Sequence, residues 1–85
     1  MPEISRFLGI IIYMYYKGHA PAHFHAVYNE YTITVEINTR VVSGRFPKNA
    51  LRAVLEWLDI NKNNLLQNWD LAVKRMPLNQ IDPLE

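Results

Sequence analysis

The sequence predicts an α+β fold: a four-stranded antiparallel sheet followed by two helices packed on one of its faces. Three observations predict it. Up to Phe46 the apolar residues either alternate with period two or run on among β-branched and aromatic neighbours. From Lys48 onward they recur at helical spacing. Pro47 stands at the change of period, where a proline in the first helical turn sacrifices no hydrogen bond. Strands first and helices second is the α+β arrangement.

The elements follow in order. Ser5 to Tyr16 (SRFLGIIIYMYY) reads as one strand, apolar on both alternating sets. Phe7, Ile11, Tyr13 and Tyr15 form one set; Leu8, Ile10, Ile12, Met14 and Tyr16 form the other. Such a strand lies between two layers or lends a face to a second subunit, so a homodimer is one expectation. Lys17 to Ala22 contains Gly18 and Pro21 and reads as a loop. His23 to Tyr28 and Tyr31 to Ile37 are short β-runs joined by Asn29-Glu30, a hairpin in which Asn tolerates positive φ. A second hairpin turns at Asn38-Thr39 and returns through Arg40 to Phe46.

Leu51, Val54, Leu55 and Leu58 then fall at i, i+3, i+4 and i+7, one face of a helix. The pattern breaks around Asn61-Lys62-Asn63-Asn64 and resumes with Leu65, Leu66, Trp69, Ala72, Val73 and Met76. Two helices with an Asn-rich joint are expected, the second stopped by Pro77. Trp57 and Trp69 read as packing anchors, and Glu56 and Asp59 as a solvated helix face. The tail, with Leu78, Ile81 and Leu84 spaced between polar residues and Pro83, is expected to lie on the surface or dock on a partner. The whole is one domain over 1–85: a β part at 4–46, a helical part at 47–76 and a tail at 77–85.

Composition narrows the function classes. A hydrophobic fraction of 49% with 20% charged residues is that of a globular chain. The absence of cysteine excludes disulfides and thiolate metal sites. No apolar run is long enough to span a membrane as a helix, and no cleavable leader precedes the first strand, so a cytoplasmic protein is expected. Up to Arg52 there are six Lys and Arg against three Asp and Glu, and beyond it three against five. A mildly basic front permits an RNA ligand without demanding one.

All three histidines, His19, His23 and His25, lie in GHAPAHFHAVYNEY, Gly18 to Tyr31. Pairing Tyr28 with Tyr31 sends Phe24, Ala26, Ile33 and Val35 toward the helices. His23 then stands opposite Glu36 and His25 opposite Thr34, on the other face. The second hairpin adds Ser43 beside Thr34 and Arg45 beside Thr32, while His19 hangs at the edge.

Three readings stay open. The plainest is a set of solvent-facing strand residues and a loop histidine. A second is a metal site in which His19, His23 and His25 hold a divalent ion such as zinc, with Glu36 as fourth ligand or as the acceptor that fixes a tautomer. The third is acid–base catalysis: one histidine, oriented by Glu36, takes a proton and another returns it, with Arg45 or Arg6 holding a phosphate. That is the logic of a metal-independent ribonuclease, in which the 2′-hydroxyl of RNA is the nucleophile. The candidate catalytic residues are His19, His23, His25, Glu36 and Arg45. The tyrosines, which could stack bases, read better as core or interface residues.

MPEISRFLGIIIYMYY, GHAPAHFHAVYNEY, ALRAVLEWLDINKNNLLQNWDLA and PLNQIDPLE together resemble a family of small prokaryotic proteins known as domain of unknown function 4160. The most specific element is His19-x-Pro21-x-His23-Phe24-His25. The chain departs from the family pattern at Gly18, where an acidic residue often stands, and at Ala22, where a second proline is usual. The resemblance implies a toxin-like component of a type II toxin–antitoxin pair, restrained by a small antitoxin-like protein encoded beside it. A non-enzymatic module that binds such a neighbour, or a metal, through the first strand and the apolar tail is the alternative.

Overall fold

The apolar opening run folds as a hairpin. In the computed structural model, which describes residues 2–16 and 19–85, β1 (Glu3–Phe7) pairs antiparallel with β2 (Ile10–Tyr13), Phe7 opposite Ile10. Leu8 and Gly9 make the turn with φ of 52° and 78°. Two successive positive φ values are what a two-residue type I′ hairpin requires. Leucine gives no sign of that conformation, so the sequence alone reads as one long strand. A bulge between Glu3 and Ser5 turns both Ile4 and Ser5 inward.

β3 (His23–Tyr28) and β4 (Tyr31–Glu36) pair in the expected register, with His23 opposite Glu36, His25 opposite Thr34 and Tyr28 opposite Tyr31. Asn29 supplies the positive φ, 53°. The second hairpin loop is wider than its two-residue expectation. Glu36 N–H donates to the Val41 carbonyl at 2.9 Å and Arg40 N–H to the Glu36 carbonyl at 3.0 Å, leaving Ile37 to Arg40 as the loop. β5 is short, Val42–Gly44, with Ser43 opposite Thr34 as expected. It ends where Gly44 takes φ 106°, outside the extended region. The expected pairing of Thr32 with Arg45 lies past this point. The loop expected over Lys17 to Ala22 lies partly outside the described residues, at Lys17 and Gly18.

The sheet is thus five-stranded in the order β1-β2-β3-β4-β5, with every neighbouring pair antiparallel. One helix, α1 (Lys48–Val73), replaces the two expected. Its backbone leaves helical geometry only at Asn61 (φ −112°, ψ 19°). There Asn61 Nδ2 donates to the Trp57 carbonyl at 3.0 Å. A side chain bonding the carbonyl four residues back bends a helix without ending it. α1 closes in a Schellman turn: Arg75 has φ 57°, its N–H donates to the Ala72 carbonyl, and Met76 N–H donates to the Leu71 carbonyl at 2.9 Å. The helix therefore stops before Pro77 acts.

The core lies between one sheet face and α1. Ile10, Ile12, Phe24, Ala26, Ile33 and Val35 meet Val54, Trp57, Leu58 and Leu65. The Trp57 ring sits 5.5 Å from Phe7 and 5.7 Å from Phe24, centroid to centroid, and is fully buried.

Of the two expectations for the tail, the surface of its own molecule or a partner, the fold shows the first, with Ile81 drawn into the core. Ile81 is buried and its N–H donates to the Ile4 carbonyl at 2.8 Å, Trp57 Nε1 donates to the Asp82 carbonyl at 2.8 Å, and Asn68 bonds both the N–H and the carbonyl of Asn79 at 2.9 Å. No helix among the described residues is long and apolar enough to cross a membrane.

Candidate functional site

Alternation along β3 puts Phe24 and Ala26 under α1 and turns His23 and His25 to the other face. The two imidazoles meet edge to face, with centroids 5.3 Å apart. They have different surroundings.

His23 sits beside a concavity of about 200 Å³ that His19, Pro21, Thr34, Glu36 and Ser43 also line. Its Nδ1 is 2.9 Å from the Pro21 carbonyl oxygen. A carbonyl only accepts, so Nδ1 donates, and in the neutral ring the lone pair resides on Nε2. On its outer side the ring packs against Trp69 of α1, at 5.1 Å. The end of the helix therefore reaches round to this histidine, and only His25 looks fully away from it.

His25 does not line the concavity. Its ring lies parallel to Tyr13 at 5.4 Å and is met edge-on by Tyr15 at 4.5 Å. Thr34 Oγ1 is 3.5 Å from its Nδ1. Burial, and then the proximity of His23, lowers its pKa below the ordinary histidine value.

Glu36 stands across from His23 in register, yet it does not orient that ring. Its Oε1 accepts the Thr39 hydroxyl at 3.0 Å. The acceptor that fixes the His23 tautomer is the Pro21 carbonyl, a backbone atom that side-chain patterning does not reveal. Arg45 is exposed, past the end of β5 and outside the concavity lining. Arg6 is held by Glu3 at 2.7 Å at the far edge of the sheet, which raises the arginine pKa and lowers the glutamate pKa. Of the five sequence candidates, then, His19, His23 and Glu36 share one concavity, whereas His25 and Arg45 stand apart from it.

No group of three or more His, Asp or Glu side chains among the described residues is arranged to hold a metal ion. The Pro21 contact leaves His23 Nε2 with its lone pair, whereas His25 is walled by tyrosines and does not line the concavity.

A larger concavity, about 500 Å³, lies between the Ile37–Arg40 loop and the first half of α1. Arg40, Lys48 and Arg52 share it with Glu56 and Asp59, and Arg40 pairs with Asp59 at 3.0 Å. Asp59 is thus an ion-pair partner as well as part of a solvated face. These charges largely compensate one another and no histidine is among them, so size does not make it the reactive site. The smaller concavity gathers the groups that can move protons.

Trp69 as a wall for His23, and Tyr13 and Tyr15 as walls for His25, were not legible as site residues. The β2–β3 register that sets Tyr13 beside His25 depends on the unforeseen first hairpin.

No curated protein and no solved structure matches the chain with significance. A family match does cover residues 9–70, from the first turn through β3, β4 and most of α1, including the histidine segment and Trp69. The chain belongs to the family described as Domain of unknown function (DUF4160).

Proposed function

We propose that the His19/His23/Glu36 concavity cleaves RNA by histidine acid–base catalysis, as the toxin-like component of a type II toxin–antitoxin pair. The observation that carries this reading is the 2.9 Å bond from His23 Nδ1 to the Pro21 carbonyl. It leaves Nε2 as the basic atom, beside a space walled by a second histidine and a carboxylate. His23 Nε2 takes the proton from a ribose 2′-hydroxyl. The 2′-oxygen bonds to the adjacent phosphorus, and the bond from phosphorus to the 5′-oxygen breaks. His19 gives that leaving oxygen its proton, so a 2′,3′-cyclic phosphate and a 5′-hydroxyl result. No further reactant is consumed.

The test is a cleavage assay on single-stranded RNA in EDTA, together with growth of cells expressing the protein. Removing one general base lowers rates by about 10²–10⁴-fold. His23→Ala should lose cleavage and growth inhibition by that order while keeping its circular dichroism spectrum. Wild-type protein inert on every RNA, or a His23→Ala variant as active as wild type, rejects the reading.

One observation favours a second reading, a non-enzymatic module for a small partner protein. Leu8, in the β1–β2 turn, is 70% exposed, beside a concavity that Asn49, Ala50 and Ala53 of α1 also line. On this reading growth inhibition survives His23→Ala and is lost when Leu8 is changed to Ser.

A further inference from the structure

The chemistry above leaves the rings around His25 without a role. Trp69, His23, His25 and Tyr15 form a chain with centroid steps of 5.1, 5.3 and 4.5 Å, and Tyr13 lies alongside His25. From Trp69 near the end of α1 the chain passes onto the sheet face that carries His23 and His25, beside the concavity. The fully buried aromatic rings, Phe24 and Trp57, meet instead in the core between the sheet and α1. Tyr15 is 40% exposed and Tyr16, next to it, 39%. The one carboxylate at the β1 end of this face, Glu3, is neutralised by Arg6 at 2.7 Å.

We propose that Tyr15, backed by His25, is a stacking subsite for a nucleobase of single-stranded RNA, next along the strand from the phosphate held in the concavity. This rests on the RNA-cleaving reading of that concavity. Every base has a π-face, so such a subsite grips a strand with little regard to sequence. Tyr15 is two ring steps from His23, the reach of a neighbouring nucleotide. His25 sits between them, and burial keeps its ring neutral at pH 7, as a stacking partner's support should be. A sheet face carrying aromatic rings is also a physically sound platform for splayed bases.

The probe is a single-stranded 2′-deoxy hexanucleotide with a central 2-aminopurine, which offers bases to stack but no 2′-hydroxyl to react. Wild type should quench its fluorescence. Tyr15→Phe should bind within about twofold of wild type, and Tyr15→Ala about tenfold more weakly. Equal binding by Tyr15→Ala and wild type, or no quenching by wild type, overturns the proposal. So does a Tyr15→Ala variant that loses only a protein partner. The two readings fail separately. RNA cleavage that survives Tyr15→Ala unchanged removes the subsite and leaves the catalysis. Tyr15-dependent quenching without any RNA cleavage removes the catalysis and leaves the subsite.

Discussion

His23 donates its Nδ1 proton to the carbonyl oxygen of Pro21, 2.9 Å away and only two residues back in the chain. The loop that carries His19 therefore also fixes the tautomer of His23. The expected outcome is a neutral His23 ring protonated at Nδ1 with a bare Nε2. Long-range proton–nitrogen NMR reads this directly, and a dominant Nε2–H form would refute the assignment.

His25 makes stability depend on pH. In the unfolded chain it titrates near the ordinary 6.5, and in the folded protein lower, because it is buried and near His23. Below pH 6.5 the unfolded state therefore binds more protons than the folded one, and stability falls as pH falls through the lowered folded value. Above 6.5 this contribution is fully present. The urea midpoint of wild type should drop between pH 7 and 5 more steeply than that of His25→Phe. Equal slopes would show that His25 is not the responsible group.

Asn68 secures the tail. Its side chain is fully buried and pairs with both backbone polar groups of Asn79 at 2.9 Å. Asn68→Ala strands those groups at a cost of about 1–3 kcal/mol. Urea unfolding should show the loss, and the Ile81 amide, bonded to Ile4, should exchange faster. An unchanged Ile81 exchange rate would mean that the tail holds without Asn68.

Gly44 is required by its backbone. At φ 106° a Cβ there would sit 2.7 Å from the Thr32 carbonyl oxygen. Gly44→Ala should destabilise by more than about 1 kcal/mol, although the site is exposed. A urea midpoint equal to wild type would show that β5 relaxes freely.

The register of β3 and β4 was legible because a one-residue slip would expose Phe24 and Ala26 and bury both histidines. Asn29 marks its turn. The first hairpin was hidden because Leu8 occupies a conformation its side chain does not advertise. With it went the placement of Tyr13 beside His25, and of Tyr15 on the open face. The Asn-rich break at residue 61 was visible as a break in pattern. That it bends one helix, and does not separate two, depends on where the Asn61 amide finds an acceptor.

By itself the sequence determined the α+β class, the face on which His23, His25, Glu36 and Thr34 lie, and the helical stripe that covers the other face. Each of these follows from a short-range period, two or 3.6 residues, which hydrophobic burial converts into a side of the molecule. Tertiary structure alone decided that Pro21 holds His23, that Thr39 and not His23 takes Glu36, that tyrosines wall in His25, and that the tail closes on Ile4 and Asn68. Those outcomes are choices among hydrogen-bond and packing partners that only the folded chain brings within a few ångströms, and no periodicity encodes them.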